Sequence, residues 1–316
     1  MRRVFSHSAN RRRTTPSPPK PRRLGWKPKD LWVLARTTFA QWQADKVPKL
    51  AAALAHYTAF SIGPILLIAI AAAGLIFGAD AARGAVAEEL SLLVGPQAGE
   101  SIQAILKDAW RPATGTWATI FGVIGLVFGA AGVFGELQDS LDMIWKVEKK
   151  PGRGILGTIK DRFFSFGMVA GIGFLLLVSL VVSAAISALD HRLGWDGAGF
   201  VIQGLQQLVS LALITLLFAF AFKVLPDAKT RWRDVWVGAL LTSALFTLGK
   251  YLIGLYLGRS SLASSFGAAG SLALLLLWVF YSSQIFFFGA EFTKVYADTH
   301  GGPVPPDEDA RSLKES

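Results

Sequence analysis

Lys250 stands inside an otherwise apolar run, "LFTLGKYLIGLYLG" at 245–258. An ammonium group in hydrocarbon is costly unless it meets a carbonyl, a carboxylate, an anionic ligand or water. Other polar groups stand in comparable runs. "ALAHYTAFSIGP" carries His56 and Tyr57, and "SLALLLLWVFYSSQIFFFGAEF" places Tyr281, Gln284 and Glu291 on one helical face at steps of 3 and 7. "FGELQDSLDMIW" supplies Glu136 and Asp139. Such groups suit binding chemistry: acids for a proton or coupling ion, and Lys250 for an anionic or zwitterionic solute or a lipid headgroup.

Hydrolytic chemistry is poorly served. There is no cysteine, which removes disulfides, thiolate metal sites and thiol nucleophiles together. The four histidines, His7, His56, His191 and His300, are isolated from one another, with no HExxH-like or HxHxD-like run. Metal-assisted phosphodiester cleavage wants clustered ligands, often for two ions. No metal, cofactor or enzymatic activity is expected.

Glycines frame the acids. Gly122, Gly125, Gly129 and Gly132 fall at steps of 3, 4 and 3, and the same face continues to Glu136 and Asp139. A glycine face lets a neighbouring helix approach closely. Here it leads that neighbour toward two carboxylates, although these acids read equally well as the solvated end of a helix. Gly254 and Gly258 form a second small-xxx-small pair.

The elements that must position these residues are membrane spans. The 316 residues are 52% hydrophobic and only 17% charged, too little charge for a soluble domain of this length. Six apolar segments, near 50–78, 116–135, 163–187, 200–222, 235–257 and 268–290, each reach the roughly 20 residues that cross about 30 Å of hydrocarbon. The first is over-long and should tilt or bend at Pro64. The fold class is therefore an all-α integral membrane protein, a six-helix bundle spanning 49–297. Between spans one and two, 79–115 reads as a short amphipathic helical hairpin on the outer side, broken at Gly95-Pro96; it serves as a packing cap or, less readily, as a lid.

Charge sets the orientation. Of 32 lysines and arginines, 26 fall in the N-terminal tail, 136–162, 223–234 and the C-terminus, 5 fall on the other side, and Lys250 stands alone. Both termini are thus expected in the cytoplasm. Residues 1–30 read as a disordered, basic, proline-rich tail, 31–48 as an interfacial helix capped by Asp30 and stopped near Pro48, and 298–316 as a disordered tail. The net charge of +10 is then mostly topogenic. The expected partners are the bilayer, anionic lipids at the basic tail and a small-molecule or lipid substrate, rather than nucleic acid.

Lys250 lies about 24 Å past Asp234 and about 12 Å short of Gly258 at a rise of 1.5 Å per residue. It can snorkel outward or face the bundle. Helical side chains lean toward the N-terminus, here the cytoplasm, and this favours the interior.

"AAALAHYTAFSIGPILLIAIAAAG", "FGELQDSLDMIWKVEKKPGRG", "VLPDAKTRWRDVWVGALLTSALFTLGKYLIGLYL" and "FGAAGSLALLLLWVFYSSQIFFFGAEF" resemble, in order, the YihY/BrkB family of bacterial inner-membrane proteins over about residues 40–297. The resemblance implies six transmembrane helices and a plasma-membrane location. It also brings a virulence-factor or serum-resistance label, proposals of solute or lipid transport, and an old ribonuclease BN label that the residues do not support. Two positions depart from the pattern: His56 and Phe266 stand where a tyrosine is usual, so no phenol hydroxyl is available there. The functional expectation is a permease or flippase-like protein whose polar cavity is lined by His56, Tyr57, Glu136, Asp139, Lys250, Tyr281, Gln284 and Glu291. The alternative is a non-transporting membrane scaffold or envelope factor.

Overall fold

The computed structural model describes residues 28–59, 61, 132–150, 199–259 and 268–313. Six helices and two short strands lie within them: α1 (Pro28–Ala44), α2 (47–59), α3 (132–145), β1 (Val147–Lys149), α4 (Gly199–Val224), α5 (Trp232–Arg259), α6 (Ala268–Gly301) and β2 (Ala310–Ser312). The basic tail to residue 27, the 79–115 hairpin, the third span and Gly122, Gly125 and Gly129 lie outside the described residues.

Three helices, over Gly204–Val224, Trp232–Ile253 and Ala273–Gly301, are long and apolar enough to cross a membrane. They answer to spans four, five and six. α4 packs on α5 and α5 on α6, while α1 lies along α6. Leu34 and Thr38 are the buried residues of α1, and Leu34 packs with Val295 and Tyr296 of α6. α1 does not run on to Pro48. It breaks at Asp45 and Lys46, where Lys46 takes φ 55°, and Pro48 falls in the first turn of α2, where a missing N–H costs nothing.

The core collects Leu54 of α2, Leu141 and Ile144 of α3, Phe218 and Phe222 of α4, Val235 and Ala239 of α5 and Phe286 and Phe287 of α6. Phenylalanine rings of α4, α5 and α6 pack on one another within it. Phe218 lies 5.6 Å from Phe246 and 5.8 Å from Phe286 between ring centroids, and Phe222 lies 5.0 Å from Phe286. Such pairs add about 0.5–1.5 kcal/mol beyond their area.

At one end of the bundle the α1–α2 elbow, the end of α3, the α4–α5 connection and the end of α6 meet. Pro226 ends α4, and Asp234 opens α5, where a carboxylate suits the helix N-terminus. Gly302 follows α6 at φ 82°, and Pro303 prevents continuation. Arg231 donates to Gly301 O at 2.7 Å, closing α6 against the start of α5.

The chain beyond α6 differs from the disordered tail expected from residue 298. Residues 298–301 extend α6, Ala228 bridges Pro306, and β2 pairs antiparallel with β1, Glu148 opposite Arg311. Arg311 Nε donates to Glu148 Oε1 at 2.7 Å. Sequence composition suggests disorder there because the segment is polar and proline-rich. A two-strand clasp needs only a partner edge, which residues 147–149 provide.

Candidate functional site

Among the described residues, an apolar cavity and a buried cluster of charges have functional character. The cavity, about 210 Å³, lies among α2, α3, α4, α5 and α6 and is lined by Leu54, Phe134, Leu217, Phe246 and Phe286 among others. Ser282 and Ser283 supply its hydroxyls. An apolar cavity of about 150 Å³ already takes a benzene-sized guest, so this one admits a ring or several methylenes of an acyl chain. A second hollow of about 270 Å³ opens between α1, α5 and α6, lined by Phe39, Trp42, Leu248, Tyr281 and Gln284 among others.

The charges centre on Glu291, which is 0% exposed. Three elements converge on it. α6 brings Glu291 and Lys294, the α1–α2 elbow brings Asp45, and the turn after α3 brings Lys146, whose ammonium group pairs with Asp45 Oδ1. Lys146 sits at φ 58°, at the left-handed end of α3. The Glu291 side chain meets that of Asp45, and Lys294 and Lys146 act on it through their charge. Among the described residues no donor reaches either Glu291 oxygen or Asp45 Oδ2.

A second acidic contact lies beside the α4–α5 connection. The Asp227 backbone N–H donates to Asp142 Oδ1 at 2.7 Å, and Gln138 Nε2 approaches Asp227 Oδ1 at 3.4 Å. Burial pushes the Asp142 carboxyl up to about 7; the Asp227 N–H and Lys149 oppose that rise, and the Asp227 and Asp139 charges add to it.

Among the described residues, the eight positions singled out from sequence fall in several places. Tyr281 and Gln284 share the α1–α5–α6 hollow, where Gln284 Oε1 is buried without a hydrogen-bond partner among the described residues. Glu136 is half-buried, and the exposed Asp139 is its charged neighbour. His56 and Tyr57 are exposed, with a Tyr57 ring carbon 3.3 Å from where a Cβ on Gly132 would stand. Lys250 is half-buried, its Nζ 5.8 Å from the Tyr251 ring centroid, and it lines neither hollow. Gly254 and Gly258 lie in α5.

Asp45, Lys146 and Lys294 were not legible as site residues. Asp45 and Lys146 sit in charged connections, "QADKVPK" and "WKVEKK", which read as solvated. Lys294 carried a signal: it stands one turn after Glu291, inside a run that remains helical.

Comparison with known proteins places these features in a family. The model of the family described as virulence factor BrkB matches residues 38–313. A UPF0761 membrane protein of Pseudomonas paraeruginosa is 27% identical over 81% of this chain and 61% of its own length. One from Verminephrobacter eiseniae is 29% identical over 86% of this chain and 62% of its own, and one from Actinobacillus pleuropneumoniae 26% identical over 80% and 89%. The chain thus spans about three fifths of the Pseudomonas relative and most of the Actinobacillus one. No solved structure matches. The match covers every described helix except the start of α1, so the chain is a membrane protein and belongs to the virulence factor BrkB family.

Proposed function

We propose that the protein is a permease for an amphiphile, holding the apolar part of its cargo in the cavity among α2–α6 as it crosses the bilayer. The observation that carries this reading is the lining of that half-open cavity: aromatic and aliphatic side chains from five helices, with Ser282 and Ser283 as a small polar edge. Ligand sites are commonly apolar hollows with a few placed polar groups. A small polar solute would gain little from such walls, so a lipid-like cargo is favoured.

The placement is a bacterial inner membrane with six spans and both termini in the cytoplasm. The end carrying the elbow and the β1–β2 clasp is then cytoplasmic, in line with its lysines and arginines. Exposed Trp32, Trp232 and Trp236 at this end support a headgroup-level position, and Lys223 lies 6.0 Å from the Trp232 ring.

The test is translocation of a fluorescent phospholipid and of fluorescent single-chain amphiphiles in proteoliposomes. Wild-type protein should raise the rate for at least one of them above protein-free vesicles. Ala221→Leu with Ser283→Leu, which fills the cavity from two sides, should abolish the increase while the protein remains inserted. Equal rates with and without protein, or an undiminished rate in the filled variant, would overturn the reading.

A further inference from the structure

We propose that Glu291 and Asp45 form a proton-binding site: Glu291 holds a proton at neutral pH and donates it to the Asp45 carboxylate. The inference does not depend on the permease reading, because its readout is the protonation of one carboxyl group.

Geometry carries the argument. Glu291 is fully buried and Asp45 nearly so, and the two side chains meet. Neither Glu291 oxygen nor Asp45 Oδ2 is reached by a donor from the described residues. Two bare carboxylates in contact repel, whereas one proton between them turns the contact into a short, charge-assisted O–H···O bond. It also removes an unpaired buried charge, which is among the most expensive arrangements in a protein interior. The donor can be assigned. Lys146 is paired with Asp45 Oδ1, whereas no donor from the described residues reaches either Glu291 oxygen, so the proton is assigned to Glu291.

The surrounding charges favour the same state. The groups acting here are Asp45 from the elbow, Lys146 from the end of α3, and Lys294 and Asp298 from α6. With Glu291, that is three carboxyls and two ammonium groups. Fully ionised, the set carries one net negative charge; one bound proton makes it neutral. A metal cation would instead face two lysines at close range. The proton can exchange with water along Lys146, whose side chain is 36% exposed while that of Asp45 is 9% exposed. Its release would leave α6 and the elbow repelling each other at their contact.

The experiment is infrared difference spectroscopy of the full chain in lipid nanodiscs while the bulk pH is stepped, with carboxyl-¹³C glutamate incorporated. The expected result is a neutral-carboxyl C=O band at neutral pH that shifts with the glutamate label, disappears in alkali and is missing from Glu291→Gln. The label separates it from Asp142. Absence of a label-sensitive band from wild type at neutral pH would overturn the proposal, as would its persistence in folded Glu291→Gln. Should that variant not insert, Lys146→Met decides. Without the lysine the carboxyl pair loses a neighbouring positive charge, so its bound proton should be held to higher pH; an unchanged titration would refute the assignment.

Discussion

Thr293 of α6 occupies the space over Gly238 of α5, and Thr242 of α5 occupies the space over Gly289 of α6. Each threonine hydroxyl donates to a carbonyl of its own helix four residues earlier, Thr242 to Gly238 O and Thr293 to Gly289 O, both at 2.7 Å. The two contacts run in opposite senses along the pair, as antiparallel helices require. Together they let the backbones of α5 and α6 approach as closely as small residues permit.

This clasp makes the first prediction. A Cβ at Gly238 or Gly289 would stand on a threonine Oγ1 and 2.8 Å from its Cβ. Gly238→Ala and Gly289→Ala should each cost about 1–3 kcal/mol of unfolding free energy in mixed micelles, the usual penalty of overpacking. Pairing Gly238→Ala with Thr293→Ala removes the nearest atoms and should recover part of the loss. An additive double variant would contradict the contact.

The clasp also shows what the sequence could and could not disclose. "GALLT" at 238–242 and "GAEFT" at 289–293 spell the same G-A-x-x-T pattern in both helices, whereas the familiar small-xxx-small spacing belongs to Gly254 and Gly258. Apolar length disclosed α4, α5 and α6, because an unbroken apolar run of that length crosses a membrane as a helix. Pairing was less legible. That Asp45, Lys146 and Glu291 meet depends on an elbow, a left-handed turn and a third helix arriving together, and each is charged or buried for local reasons that give no hint of the others. β2 was hidden likewise, since three residues of strand have no periodicity to read.

The left-handed lysines give a second prediction. Lys46 sits at φ 55° and Lys146 at φ 58°, a region that costs an L-residue about 1–2 kcal/mol and glycine much less. Lys46 is exposed, so Lys46→Gly should raise stability by about 0.5–1 kcal/mol. Lys146→Gly relieves the same backbone strain but strands Asp45. Losing one partner of a buried pair costs about 3–5 kcal/mol, less where the pair reaches water, so this variant should be less stable than wild type. Denaturation of the two variants side by side checks the contrast.

Asp142 provides a pH dependence with a definite sign. Its folded carboxyl titrates near 7, against 3.8 for an ordinary aspartate. The folded state therefore holds a proton that the unfolded chain has lost. This contribution to stability is complete below about pH 4 and disappears as the pH rises through about 7. Its size is on the order of 2–4 kcal/mol at about 1.4 kcal/mol per pH unit. Asp142→Asn keeps an acceptor for the Asp227 N–H and should flatten the stability profile between these limits. A profile with the wild-type slope would contradict the assignment.

Surface ion pairs should matter far less. Lys229 lies 3.5 Å from Glu308 and 4.0 Å from Asp307, all three well exposed. Lys229→Ala should change unfolding free energy by less than about 0.5 kcal/mol. Arg311→Ala, which removes the half-exposed pair with Glu148 on the β1–β2 clasp, should cost no more than about 1 kcal/mol.

The central claim is that the apolar cavity among α2–α6 holds the cargo. The chain has no cysteine, so Ser283→Cys places its only thiol on the cavity wall, and Leu208→Cys places one on an exposed face of α4. A phospholipid carrying a thiol-reactive group in its acyl tail is offered to each variant in liposomes, with and without excess unreactive amphiphile. The account predicts labelling at both positions, with the competitor suppressing it at Ser283→Cys alone. No labelling at Ser283→Cys, or labelling that the competitor leaves unchanged, would contradict it.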